Sequence, residues 1–269
     1  AQLPDRRNES WMVVPADYTI TNHYCRQVQD VVGTSNCRMQ TFVGYNDGTP
    51  YNYESEVCDY QYGAPYERCD DLNYLQAWHG CAGSRNHPLN TQDGSYGTRI
   101  PGVLNVSCGT ELQPLTNSKS TISSKISGLV ASGETYMPAG LIWGWRTLSK
   151  QEPFTEGFDK NERIGGSKVR KIAVLMSDGA NTRSPAYPAH NGSDVATANS
   201  LTSETCSNMK ADGIEIFTVA FEVADSTARN LMKSCATTNQ HYYDARQSSE
   251  LVAAFEQIAI SLQSLANAE

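Results

Sequence analysis

The residues with the clearest capacity for chemistry lie in Lys171–Thr182, which reads K-I-A-V-L-M-S-D-G-A-N-T. Five apolar residues, Ile172 to Met176, run directly into Ser177, Asp178 and Gly179. An unbroken apolar run of this length suits a strand buried on both faces, as in a parallel sheet. Open α/β sheets bind ligands at the carboxyl ends of their strands, so Asp178 would stand there as one oxygen donor. Asp-Gly is also a common turn pair, and a plain turn is the competing reading. A second donor is Thr135, in Gly133-Glu-Thr-Tyr-Met-Pro-Ala-Gly140, a loop expected between two helices on the same side of the domain. Hydroxyl and carboxylate oxygens suit a hard cation, since Mg²⁺ takes oxygen ligands and keeps several waters. Two groups alone make a poor site, so further donors must come from elsewhere. G-x-S-x-G, H-E-x-x-H, the P-loop and G-x-G-x-x-G are all absent. The five histidines are scattered in loop contexts with no obvious carboxylate or nucleophile partner. The chain is therefore expected not to be an enzyme.

The elements that must position these donors follow from periodicity. Thr116 to Ala131 carries Ile122, Ile126, Leu129 and Val130 at helical spacing. Pro138 can open a second helix running to Leu148. The strand at Lys171 follows, then a helix over Thr202 to Asp212 stopped by Gly213. Ile214 to Val223 reads as a second buried strand, Ser226 to Cys235 as a short helix, and His241 to Asp244 as a short strand. The last helix starts near Ser248, with Leu251, Phe255, Ile258, Leu262 and Leu265 on the face that packs on the sheet. Pro185 to Gly192 reads as an exposed loop. Strands alternating with helices predict βαβ units and a parallel sheet.

The first 115 residues differ. They hold six of the eight cysteines, are rich in Asn, Gly and Asp, and show weak periodicity, with Trp11 to Val14 the clearest strand. The expected organisation is a cysteine-rich, loop-rich, disulfide-stapled region over 1–115, followed by an α/β part over 116–269. No two cysteines are spaced C-x-x-C, so disulfides in an oxidising compartment are favoured over zinc, also at the close pair His79 and Cys81. With 21 basic and 29 acidic side chains the net charge is −8, which argues against nucleic acid as a partner. No apolar run reaches the roughly 20 residues that cross a bilayer. Residue 1 is Ala rather than Met, so the chain is expected to have been trimmed.

The second half resembles the carboxyl-terminal part of a von Willebrand factor type A domain and, more narrowly, TadG-type proteins of bacterial tight-adherence (Tad) pilus systems. The residues that carry this are Trp78-His-Gly-Cys81 with Arg85, Gly133-x-Thr-Tyr-x-Pro-x-Gly-Leu-x-Trp-Gly-Trp145, Leu148-Ser149 and Pro153-Phe154. Lys171–Thr182, Cys206, Ile214–Phe221, Cys235-Ala236 and Phe255-x-x-Ile258 continue the pattern. The resemblance implies a Rossmann-like doubly wound parallel sheet, incomplete in this chain. It implies a metal-ion-dependent adhesion site in which Thr135 and Asp178 match two elements, while the D-x-S-x-S element is missing. Mg²⁺ or Ca²⁺ is then expected only if upstream residues add ligands.

The resemblance further implies that the strand beside Ile172–Met176 is missing. An exposed apolar edge is an aggregation hazard, so an upstream segment or another chain is expected to pair there, with Trp11–Val14 as the weaker alternative. Cys206 and Cys235, on the helices flanking the strand at Ile214, are expected to be bridged. The other six cysteines would pair within residues 25 to 108. The expected function is an exported, pilus-associated adhesion module at the bacterial cell surface, pilus or periplasm, with metal-bridged binding of pilus components or a surface ligand. The alternative is a structural, pilin-like filament subunit with a degenerate metal site.

Overall fold

Residues 9–94 and 96–266 are described by the computed structural model, the last three by backbone alone, so the Leu265 side chain lies outside the description. Contacts divide the chain into two units, Tyr18–Gln76 and the remainder, Ala1–Asp17 with Ala77–Glu269. The change of composition near residue 115 is thus not where the chain divides. Trp11, Met12, Ala82 and Ile100 share a core with the helical part, because the large apolar side chains of Trp11, Met12 and Ile100 gain most by joining it.

The first strand, β1 (Met12–Val13), belongs to that larger unit. The next four build the smaller one, and they replace the expected loops. β2 (Tyr18–Val28) pairs antiparallel with β5 (Tyr66–Gln76), and inside them β3 (Val31–Asn46) pairs antiparallel with β4 (Thr49–Tyr62). The whole is one long hairpin closed at Asn46-Asp-Gly-Thr49. Asp47 and Gly48 take φ of 47° and 80°, the mirror-image turn whose twist suits a two-residue hairpin loop. Disulfides Cys25–Cys69 and Cys37–Cys58 staple its two parts. A two-stranded ribbon is marginal on its own, and cross-links offset the missing core.

In the larger unit, β6 (Trp78–Ala82) pairs antiparallel with β7 (Ile100–Leu104), and β7 takes β1 in parallel on its other edge, Met12 opposite Ile100. Trp11–Val14 therefore does not fill the place beside Ile172–Met176. Trp11 is buried edge-on against Trp143, with ring centroids 6.4 Å apart. Cys81 and Cys108 are bonded. Arg85, buried, donates to the carbonyls of Gln92, Gly94 and Thr98 and so folds this connection onto itself.

Helix α1 (Lys119–Ser127) is capped by Ser118 and stops at Gly128. It buries no residue, and Ile126, Leu129 and Val130 face solvent rather than a core. Helix α2 (Met137–Leu148) follows, then the small hairpin β8 (Arg163–Ile164) and β9 (Ser167–Lys168) and the strand β10 (Lys171–Ser177). The stretch expected as an exposed loop forms a second hairpin, β11 (Ser184–Ala186) with β12 (Ala189–Gly192). Helix α3 (Val195–Ala211), capped by Asp194, starts seven residues before its expected start. Then come β13 (Ile214–Phe221), α4 (Ser226–Cys235), β14 (Tyr242–Ala245) and α5 (Ser248–Ala266).

A doubly wound parallel sheet is not what forms, and the expectation is corrected. Among the described residues, parallel pairing is confined to β10-β13-β14 and the two-residue β1; every other ladder is antiparallel, in separate sheets of two or three strands. The reason is connectivity. Parallel neighbours need a crossover of a dozen or more residues. Only the chain from β10 onward supplies successive helix-bearing crossovers, whereas the tight turns earlier force hairpins.

Within the three parallel strands, side chains alternate as a pleated strand requires. Ile214 and Ile216 of β13 join the core with Met209 and Cys206 of α3. Phe217 and Val219 pack instead on Ala254 and Ile258 of α5. Cys206 and Cys235 are bonded, tying α3 to α4. β10 pairs with β13 on one side alone among the described residues. It is an edge strand rather than a strand buried on both faces, and Val174 and Met176 are 42% and 43% exposed.

Candidate functional site

The loop that follows β10 and the loop that precedes α2 are stitched together by hydrogen bonds. The Thr135 carbonyl accepts from the backbone N–H groups of Thr182 (2.9 Å) and Arg183 (3.0 Å). The Thr135 N–H donates to the Thr182 hydroxyl at 2.8 Å. α2 has no capping side chain of its own, so its first N–H groups need partners from outside the helix. Asn181 supplies one: its Oδ1 accepts from the Met137 N–H at 2.7 Å. The Asn181 amide then donates to Asn199 Oδ1 (2.9 Å) and Thr202 Oγ1 (3.2 Å), both on α3. Asn181 is buried, and its bonds to Met137 and Thr202 are made away from water. It is the residue that sequence reasoning missed, because its partners lie far away in sequence, on α2 and α3.

Thr135 and Asp178 thus sit in adjoining loops at the carboxyl end of β10. Asp178 is exposed, and Glu134, beside Thr135, is engaged by the Arg183 guanidinium. The donor set at hand is one carboxylate and one hydroxyl, with a fixed positive charge nearby. A divalent cation takes six or more oxygens, so these residues do not by themselves fit one. Among the described residues, close groups of three His, Cys, Asp or Glu ligand atoms occur at Cys25/Glu67/Cys69 and Cys37/Glu56/Cys58, where the sulfurs are spent in disulfides.

Beside these loops lies a partly buried polar cluster. His190 Nε2 is 2.6 Å from the Ser84 hydroxyl, and the Tyr136 ring packs on the imidazole with centroids 4.7 Å apart. Burial pushes the His190 imidazole down to about 4 and the Tyr136 phenol up to about 12. His190 is therefore neutral at physiological pH. The backbone makes this contact close: the Ser84 N–H donates to the Pro188 carbonyl at 3.0 Å, and a Cβ on Gly83 would lie 2.1 Å from that carbonyl oxygen. The Ser84–His190 contact and the Ser84–Pro188 backbone bond tie the segment after β6 to the β11–β12 hairpin.

No protein-family model and no curated protein matches the chain. Among solved structures, the crystal structure of the pilus adhesin SpaC from Lactobacillus rhamnosus GG is similar over 53% of this chain, at 16% identity and a TM-score of 0.38. The chain spans 20% of that adhesin's length.

Proposed function

We propose that this chain is a non-enzymatic docking module of an extracytoplasmic surface assembly, adhesive or filament-building, that takes an added strand on the open edge of β10. The observation that carries the reading is the edge itself. Natural edge strands are guarded by charge, proline, bulges or shortness. β10 is seven residues long, its register with β13 runs unbroken from Lys171 to Ser177, and residues 172 to 177 contain neither charge nor proline. Its only charge, Lys171, is buried and paired with Asp212 at 3.6 Å. An unguarded edge flanked by half-exposed Val174 and Met176 suits strand addition, in which main-chain bonds give affinity and alternate side chains give specificity. The added segment is extended and apolar, supplied by polypeptide upstream of Ala1 or by another chain. Four disulfides support an oxidising, extracytoplasmic location. Among the described residues, no helix is long and apolar enough to cross a membrane.

A metal-bridged adhesion site of the von Willebrand A kind is the second reading, favoured by the bonded pairing of the Thr135 and Asp178 loops. It requires oxygen ligands beyond those two residues. The test of the first reading is a photo-crosslinking side chain at Val174, with one at Glu256 on α5 as control. A crosslink at 174 to an extended segment, without one at 256, is expected. No crosslink at 174 in the native surface assembly overturns the reading.

A further inference from the structure

The ribbon of β2 and β5 is amphipathic across its two faces. In an antiparallel pair, residues directly opposite one another share a face, and alternate rungs change face. One set of rungs is Thr19/Leu75, Thr21/Asn73, His23/Asp71, Cys25/Cys69 and Gln27/Glu67. Apart from the exposed Leu75, that face is polar and satisfies itself: Thr21 donates to Asn73 at 2.7 Å, His23 meets Asp71 at 2.5 Å, and the disulfide spans the next rung. The other face carries Tyr18, Ile20, Tyr24, Tyr66, Leu72 and Tyr74. These six are between 38% and 56% exposed.

We propose that this apolar face is an interface between two copies of the chain, packed ribbon against ribbon about a twofold axis. Two arguments select a second copy. The first is area. Six side chains of roughly 200 Å² each, about half exposed, offer about 600 Å² per copy, so a pair buries about 1,200 Å², the lower bound of a specific stable interface. Doubling the ribbon also gives four strands around a shared apolar layer, which a two-stranded ribbon lacks and needs for stability. The second is self-complementarity in one orientation. The rungs of this face run Tyr18/Gln76, Ile20/Tyr74, Asn22/Leu72, Tyr24/Asp70, Arg26/Arg68 and Val28/Tyr66. A twofold axis between the third and fourth rungs sets Arg26/Arg68 of one copy over Ile20/Tyr74 of the other, where a guanidinium can lie on the tyrosine face. The same operation sets Asn22 against Tyr24 and Leu72 against Asp70, so a carboxylate at 72 would face a second one. Parallel stacking would instead oppose four arginines.

This inference is independent of the β10 edge. Sedimentation equilibrium of the full chain at about 50 µM should show a dimer. Leu72→Glu, which places a charge beside the axis, should weaken it more than about a hundredfold and give a monomer. Thr21→Glu on the polar face and Val174→Lys on β10 should both leave the dimer intact. Formation of Cys25–Cys69, checked by peptide mapping, shows that each variant keeps its ribbon. A monomeric wild-type chain, a dimer that survives both Leu72→Glu and Ile20→Glu, or a monomer with protected amides over 66–76 would each overturn the proposal.

Discussion

Acidification should selectively loosen the larger unit through His190. The imidazole titrates at its ordinary 6.5 in the unfolded chain and is pushed down to about 4 in the fold by burial against Tyr136 and Ser84. Between those values the unfolded chain binds more protons than the folded one, so stability rises with pH across the window and is lost as pH falls from 6.5 to 4. The full shift corresponds to about 3 kcal/mol, of which roughly 2 kcal/mol is lost between pH 7 and pH 4.5. Carboxylates held below their usual range, such as Glu215 beside Arg170 and His241, lose their contribution only at lower pH, which separates the two effects. All four tryptophans lie outside Tyr18–Gln76, so tryptophan fluorescence during urea unfolding reports the larger unit. The wild-type chain should lose that roughly 2 kcal/mol between pH 7 and 4.5. His190→Gln, which can still accept from Ser84, should show a much flatter profile. Equal slopes for the two proteins would refute the assignment of the loss to His190.

Other perturbations follow from the same packing. Gly83→Ala should cost about 1–3 kcal/mol, because its Cβ meets the Pro188 carbonyl oxygen, and should flatten the acid dependence by opening the cover of His190; an unchanged urea midpoint and profile would contradict this. Replacing Cys206 and Cys235 together by Ala should cost about 3–4 kcal/mol, the chain-entropy value for a loop closed over a sequence separation of 29, read as the shift in urea midpoint. Millimolar Mg²⁺ or Ca²⁺ should move the thermal midpoint by less than about 1 °C, since Asp178 and Thr135 supply too few oxygens. A larger shift that Asp178→Ala abolishes would show that the site binds metal without further ligands.

The helices and parallel strands from α2 onward were legible because their signals are local. Pro138 sits in the first turn of α2, Asp225 caps α4, and the apolar runs of β10 and β13 are continuous. The first half of α3 was hidden by its Thr, Ser and Asn residues, and only Asp194 marks its start. The ribbons were hidden for a different reason. Their strands have no buried face to impose alternation, and tyrosine counts as both polar and apolar. The sheet reading failed because an apolar run tells of a buried strand but not of its neighbours, and β10 has a neighbour on one side only among the described residues. Asp178 and Thr135 could be placed in adjoining loops from their positions after a strand and before a helix. Asn181, which joins those loops, could be found only once α2 and α3 were in place.

The most direct test of the docking account is amide hydrogen exchange over residues 170–178, compared between the isolated chain and the protein in its native surface assembly. The account predicts fast exchange in the isolated chain along the open side of β10, and marked slowing in the assembly. The β13 segment 214–221, flanked by two strands, should be protected in both. Equal exchange of 170–178 in the two states would contradict the claim that this edge receives a partner strand.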